Sequence, residues 1–179
     1  QFAILNVTFR LRKKPVFNIS YGAIEAELEK MKVPVLSVKA ISDAIVLIRT
    51  SKLPDPKIVG NAGSFFKNPV MNKNDFLVFE KRESARNLLK ENDVKGEQVP
   101  FPYFQINDNL YKIPAGWLIE QCGFKGLRKG EVGCYEKQAL VLVNYGHATG
   151  TEVYDFSEKI INSVNEKFNI LLEREVNIV

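Results

Sequence analysis

The stretch 139-ALVLVNYGHATGTEVYDFSEKIINSVNEKF-168 decides the fold class, because a strand pattern and a helix pattern follow each other directly. Residues 139–145 form an apolar run of strand length, which is typical of a strand buried on both faces. Between residues 151 and 168, apolar side chains recur every three or four positions, which predicts an amphipathic helix. These positions are Val153, Phe156, Ile160, Ile161, Val164 and Phe168. The stretch predicts an α+β fold.

The flanking sequence contains further helices and strands. Residues 2–12 alternate between apolar and polar side chains, which predicts a half-buried strand. Residues 95–114 contain three prolines and favour irregular structure. Helices are predicted at 20–31, at 43–50 with Ser42 as a candidate N-cap, at 74–91, and over about two turns ending at Gly123.

The C-terminal stretch NILLEREVNIV predicts a strand whose two faces differ. Arg174 shares a face with the apolar residues Ile170, Leu172, Val176 and Ile178. Glu173 and Glu175 share the opposite face with Leu171. The spacing leaves two interpretations: a solvated sheet face, or a carboxylate that lines a cleft as an acid or charge stabiliser.

Composition excludes several classes of protein. The chain has 179 residues, 45% hydrophobic and 26% charged, with a net charge of +4, which is typical of one globular domain or one and a piece of another. Its basic residues are dispersed except at 10–14, which favours a solvated strand end over a nucleic-acid surface. No apolar run reaches the ~20 residues that span a bilayer. The start at Gln1 lacks a signal-peptide pattern, and we interpret the chain as an internal piece of a longer polypeptide.

The sequence supports neither a metal or redox site built from its cysteines nor a nucleophile activated by histidine. Cys122 and Cys134 have no metal or redox spacing, so reduced thiols in a cytosolic protein and no metal site are expected. A mechanism based on a histidine-activated nucleophile would need His147, the single histidine, which lies in a glycine- and threonine-rich turn.

The loop from Arg49 to Lys67 combines cations with glycines, a composition that can bind a phosphate. It contains neither a Walker A nor a dinucleotide-binding motif. An ordinary structural turn and a generic anion site are both compatible with this loop. By spacing alone, Ser64 within it is a turn residue.

Four stretches together resemble one family: RTSKLPDPKIVGNAGSFFKNPV, IPAGWLIEQCGFKGLRKGEVG, QALVLVN and EKFNILLEREV. They are similar to the C-terminal part of UDP-N-acetylenolpyruvoylglucosamine reductases, also called UDP-N-acetylmuramate dehydrogenases, of bacterial peptidoglycan synthesis. The resemblance implies a cytoplasmic enzyme that uses NADPH and FAD to reduce UDP-N-acetylglucosamine enolpyruvate to UDP-N-acetylmuramate. It implies no nucleic-acid, membrane or obligate protein partner.

The resemblance also implies roles for individual residues. Ser64, in the family's G-S-F-F motif, is the expected proton donor. Glu175 is expected to act with an arginine on the substrate carboxylate and the enolic intermediate; the family's arginine motif, Y-R-D-S, is absent from this chain. Tyr21 and Lys52 are expected to contact the diphosphate. The remaining substrate-binding candidates are Arg49 from the cationic loop, Asn68, Lys125 and Gln138.

The resemblance predicts a division into three parts. Residues 1–53 are the expected tail of the FAD-binding region, residues 54–168 the substrate-binding domain, and residues 169–179 a strand that returns to an N-terminal domain absent from this chain. The family commonly has arginine at the position of Asn177. Because the FAD-binding N-terminal domain and the Y-R-D-S arginine are absent from this chain, we expect it to be inactive alone. The rival hypothesis is a non-enzymatic module that binds a nucleotide sugar or another anion.

Overall fold

The computed structural model describes residues 4–20, 23–90 and 101–178, and the side chains of all of these except 84–90. The chain divides into two compact units, Gln1–Lys52 and Leu53–Val179. The predicted α+β class is confirmed, because both helices and antiparallel sheets are present. None of the described helices is long and apolar enough to cross a membrane.

The first unit contains helix α1 (Ile24–Lys30) and helix α2 (Val38–Lys52). Ile24, Leu28 and Ala44 form its small core. The helix predicted at 43–50 is confirmed but begins earlier, so the N-cap prediction for Ser42 is wrong. The Ser37 hydroxyl instead accepts a hydrogen bond from the Ala40 N–H at 3.1 Å. Ser42 lies inside the helix, exposed.

The strand predicted at 2–12 is not found among residues 4–12. These residues are exposed, and the side chain of Leu5 is 91% accessible. An alternating sequence forms a stable strand only when neighbouring strands supply backbone hydrogen bonds and an apolar face to pack on. Within the described part of the first unit, no strand pairs with this segment.

The described residues of the second unit form ten elements. In chain order they are β1 (Gly60–Ser64), β2 (Val70–Asn72), α3 (Lys73–Lys90), β3 (Phe104–Asn107), β4 (Leu110–Lys112), α4 (Ala115–Gln121), β5 (Arg128–Lys129), β6 (Val132–Cys134), β7 (Val141–Asn144) and α5 (Gly150–Phe168). They form a four-stranded antiparallel sheet of order β1-β7-β6-β5 and a three-stranded antiparallel sheet of order β2-β4-β3.

The stretch that decided the fold class behaves as predicted. Residues Val141, Leu142 and Val143 of β7 are buried between β1 and β6. Helix α5 begins at a capping box in which Thr149 and Glu152 satisfy each other's backbone N–H groups. Its apolar face joins the main core. The most buried side chains of that core include Phe66, Ile113, Leu118, Ile119, Ile160, Val164 and Phe168.

Two predictions in this unit need correction. Residues 104–112, predicted as irregular, form the β3–β4 hairpin, whose turn is closed by a hydrogen bond from the Asn109 N–H to the Asn107 side chain at 2.9 Å. Residues 169–178 form no continuous strand. Only Arg174 makes an antiparallel bridge, to Phe66. The alternation itself is confirmed from 170 to 176, since the even positions are buried or half-buried and the odd ones exposed.

Candidate functional site

Ser64 ends strand β1 at a point where the backbone is locally irregular. The pairing of β1 with β7 shifts register between Asn61 and Ser64, and Gly63 has a φ of 72°. The Asn61 side chain accepts a hydrogen bond from the Gly63 N–H at 3.1 Å. A positive φ is readily adopted only by glycine, so Gly63 lets the chain turn just before Ser64.

The residues after Ser64 anchor it to the core. Phe65 and Phe66 are buried, and the Phe65 N–H donates to the Leu140 carbonyl at 2.8 Å. Ser64 itself is exposed, and its hydroxyl has no hydrogen-bond partner among the described residues. The backbone at Ser64 is therefore fixed on both sides while the hydroxyl is free to meet a ligand.

The C-terminal segment places the backbone of Glu175 against Phe65, the residue that follows Ser64. The Glu175 N–H donates to the Phe65 carbonyl at 2.9 Å, and the Lys67 N–H donates to the Glu173 carbonyl at 2.9 Å. This pairing sets Glu175 opposite Phe65, the residue that follows Ser64. Glu175 is exposed. A hydroxyl-bearing residue and a carboxylate-bearing residue thus occupy neighbouring positions of two adjacent extended segments.

The same pairing creates an ion pair that sequence reasoning did not assign. Lys67 lies opposite Glu173, and its ammonium contacts the Glu173 carboxylate. Both side chains are at least half exposed, so the pair contributes little to stability. The ion pair makes the two neighbouring glutamates different. Glu173 has a cation beside it, whereas Glu175 has no ion-pair partner among the described residues.

Asn68 and Gln138 meet at the start of helix α4. The Asn68 side-chain oxygen accepts a hydrogen bond from the Ala115 N–H at 2.8 Å. The Gln138 side-chain oxygen accepts from the Leu140 N–H at 3.4 Å and lies so close to Gly116 that a Cβ there would be 3.3 Å from it. Both oxygens therefore position backbone, and both NH2 groups lack a protein partner in the described part of the chain.

The other predicted site residues belong to other elements of the chain. Lys125 follows the opposite end of α4, where its ammonium pairs with Glu120 at 2.8 Å. Arg49 and Lys52 are exposed in the last turn of α2, in the first unit. Tyr21 lies outside the described residues. Within the second unit, Glu175 thus pairs with the residue that follows Ser64, and Asn68 and Gln138 both lie at the start of α4.

Cysteine and metal chemistry gain no support from the described residues. Burial raises the pKa of the Cys134 thiol to about 12, and its sulfur lies 3.0 Å from the Ala139 carbonyl, so a reactive thiolate is absent at neutral pH. No group of three or more histidine, cysteine or acidic side chains within the described ranges is arranged to hold a metal.

Arg174 is a site-forming residue that the sequence interpretation left without a role. Its guanidinium turns away from the two glutamates beside it and contacts helix α5. A sequence signal existed, because Arg174 is the one charged residue on the apolar face of the segment 170–178.

Known proteins resemble this chain over its whole length. Residues 55–179 match the family model described as the C-terminal domain of UDP-N-acetylenolpyruvoylglucosamine reductase. Three proteins of that name align with all of this chain: those of Amoebophilus asiaticus at 46% identity, Porphyromonas gingivalis at 45% and Flavobacterium johnsoniae at 44%.

The alignments cover 48% of the first two relatives and 49% of the third. The chain therefore spans about half the length of the curated relatives it matches. Both the family model and the high identity over the full chain lead to one assignment. The chain belongs to the UDP-N-acetylenolpyruvoylglucosamine reductase family, and its residues 55–179 correspond to the family's C-terminal domain.

Proposed function

We propose that this chain is the substrate-side part of a bacterial cytoplasmic enzyme that reduces UDP-N-acetylglucosamine enolpyruvate to UDP-N-acetylmuramate for peptidoglycan synthesis. One observation carries the proposal. The unpartnered Ser64 hydroxyl and the exposed Glu175 belong to adjacent extended segments joined by the bond from the Glu175 N–H to the Phe65 carbonyl. The family of the chain supplies the reaction that such a pair would serve.

Ser64 would act as the proton donor of this reaction. FAD, when bound, would supply the hydride that the vinyl carbon of the enolpyruvyl ether receives, with NADPH as the source of that hydride. The adjacent carbon then becomes strongly basic, and only such a base can remove a proton from a hydroxyl of high intrinsic pKa. Ser64 gives its proton to that carbon, which completes the lactyl ether. Because Ser64 is exposed, water can return the proton.

Glu175 would respond to the charge that builds up on the substrate. Hydride addition converts the enolpyruvyl group into an enolic species, which preorganised polar groups stabilise. Glu175, acting with an arginine from outside this chain, would polarise the substrate carboxylate. Its lack of an ion-pair partner, in contrast to Glu173, leaves it available for that task.

The nucleotide-sugar part of the substrate would be held by polar side chains. The free NH2 groups of Asn68 and Gln138 are suitable donors for its oxygens. We assign Tyr21 and Lys52 to the diphosphate, with Arg49 and Lys125 as further candidates. FAD would be bound mainly by segments outside this chain. We therefore propose that the 179-residue chain alone is inactive.

The test uses the complete protein and two matched variants. We expect Ser64→Ala to abolish formation of UDP-N-acetylmuramate while NADPH still reduces the bound flavin at the wild-type rate. Ser42→Ala is the control, because Ser42 is an exposed helical serine in the first unit. Turnover that survives Ser64→Ala would refute the proton-donor role. Tight UDP-sugar binding by the chain alone, with no turnover by the complete wild-type protein, would favour the binding-module hypothesis instead.

A further inference from the structure

Arg174 lies between the two exposed glutamates of the C-terminal segment, yet its own side chain is only 18% exposed. It contacts three residues of helix α5 at i, i+3 and i+4 spacing, which share one face of the helix. The guanidinium Nε donates to the Ser157 hydroxyl at 2.8 Å, and Nη2 donates to the Glu158 carboxylate. The guanidinium also stacks 4.4 Å from the centroid of the Tyr154 ring.

The residues of α5 in this contact match the hydrogen-bonding and stacking groups of an arginine. Ser157 is fully buried on an otherwise apolar face, and its hydroxyl donates to the Tyr154 carbonyl at 2.7 Å. The same hydroxyl accepts the hydrogen bond from Arg174, so it both donates and accepts a hydrogen bond within the protein. The hydrogen bond from Arg174 lowers the pKa of Glu158 and keeps that carboxylate ionised. A planar guanidinium serves a hydroxyl, a carboxylate and a ring together, whereas an ammonium does not.

The contact also controls the backbone that carries the proposed catalytic residues. Arg174 pairs with Phe66, which is 1% exposed, in the single β-bridge of this segment. The two backbone hydrogen bonds around that bridge hold Glu173 against Lys67 and Glu175 against Phe65. Besides Arg174, the described side chains that anchor the segment are Leu172 in the core, with Ile170 and Val176 packed against it, and the Lys67–Glu173 pair.

We propose that Arg174 is a positioning residue, which clamps the C-terminal segment to helix α5 and thereby fixes Glu175 beside Ser64. We call Arg174 with Tyr154, Ser157 and Glu158 the α5 clamp. The inference rests on the proposed function, because it assigns the clamp to the step in which Ser64 and Glu175 act on the substrate. It predicts that loss of the clamp slows that step and leaves the NADPH step unchanged.

The experiment compares Arg174→Met with Arg128→Met in the complete protein. Arg128 makes the same kinds of contact at a more exposed position, 50% against 18%: it stacks 4.0 Å from the Tyr145 ring, pairs with Glu131 at 3.0 Å and has no contact with the described part of the C-terminal segment. Amide hydrogen exchange is measured by mass spectrometry on the peptide 170–178. Flavin reduction by NADPH and flavin reoxidation by the enolpyruvyl substrate are followed separately by stopped flow.

We expect Arg174→Met to speed exchange in 170–178 and to slow reoxidation by about 10- to 100-fold, the effect of misplacing a reacting group by roughly 1 Å. NADPH reduction should be unchanged, and Arg128→Met should match wild type in all three measurements. Ser157→Ala removes one contact without a change of charge and should give a smaller effect in the same direction. Ser157→Ala also carries the test if Arg174→Met does not fold.

Wild-type exchange and reoxidation in both Arg174→Met and Ser157→Ala would overturn the inference. Faster exchange with normal reoxidation would also overturn it, because the clamp would then be structural only. A wild-type protein that does not oxidise its flavin with the enolpyruvyl substrate refutes the proposed function instead, and the catalytic role of the clamp falls with it. The exchange measurement still decides whether Arg174 fixes the segment.

Discussion

Replacing Gly63 with alanine isolates the backbone conformation that presents Ser64. An added Cβ at Gly63 would meet no atom within 4 Å, so steric overlap contributes nothing to the cost. The φ of 72° is the remaining penalty, about 1–2 kcal/mol for a non-glycine residue in the left-handed region. Alanine also lowers the entropy of the unfolded chain, which returns about 0.4–1 kcal/mol. We expect a net destabilisation of about 1 kcal/mol.

Gly150 provides a matched control for the same substitution. A Cβ at Gly150 also meets nothing within 4 Å, but this glycine opens helix α5 without a left-handed φ. The unfolded-state gain is common to both variants and cancels in their difference. The gap in unfolding free energy between Gly150→Ala and Gly63→Ala should therefore be about 1–2 kcal/mol, the left-handed penalty alone.

Urea unfolding of the 179-residue chain measures this gap. Its single tryptophan, Trp117, packs 5.6 Å from the Phe168 ring in the main core and reports on the second unit. Gly63→Asn should recover part of the loss, since asparagine tolerates the left-handed region better than alanine. Equal stability of the Gly63→Ala and Gly150→Ala proteins would refute the argument that the backbone at position 63 needs glycine.

Three further outcomes follow from the contacts. Asn68→Asp keeps the oxygen that accepts from the Ala115 N–H but loses the NH2 group. Its unfolding free energy should therefore stay within about 0.5 kcal/mol of wild type, while the substrate affinity of the complete protein falls. Asn68→Ala should lose both stability and substrate affinity. Hydrogen bonds from the Thr149 backbone and hydroxyl lower the pKa of Glu152. These bonds therefore stabilise the fold at pH values above 4.5, the ordinary pKa of the group, and this stabilisation is lost as the pH falls below 4.5. Thr149→Ala should reduce the amount of stability that the protein loses as the pH falls below 4.5, measured by unfolding at a series of pH values. Iodoacetamide at pH 8 should leave Cys134 unmodified until urea unfolds the chain, and rapid native alkylation would contradict its burial.

Local patterns in the sequence predicted those elements whose hydrophobic period is strong. Helix α5 and strand β7 follow from the spacing of apolar residues and the apolar run before them. The two faces of residues 170–176 also follow from alternation, although the segment has one bridge and no continuous ladder. The strand predicted at 2–12 is not found at residues 4–12. An alternating pattern predicts which face of a strand is apolar, but it does not supply the neighbouring strand with which it must pair.

The candidate site was harder to predict, because its members are distant in the chain. Spacing alone gave Ser64 the role of a turn residue, and nothing local links it to Glu175. Their proximity depends on the pairing of Phe66 with Arg174, which is a tertiary contact. The β3–β4 hairpin differs from the irregular structure that the prolines predict, because the turn-forming residues Asp108 and Asn109 join two strands between them.

Alternation along the C-terminal segment explains why its register matters more than its length. Between residues 170 and 176, even positions are held by the core or by α5, and odd positions such as Glu173 and Glu175 face solvent. A shift of one residue would exchange these faces, burying a glutamate where Arg174 now meets Ser157 and exposing the guanidinium. Two backbone hydrogen bonds, each contributing about 0.5–1.5 kcal/mol, and the core burial of Leu172 both oppose such a shift. The buried hydroxyl of Ser157 adds what they lack: it is satisfied by Arg174 and would be left facing an acceptor-only carboxylate in the shifted register. The proposed α5 clamp would therefore act together with Leu172 to keep the register in which Glu175 pairs with Phe65, the residue that follows Ser64.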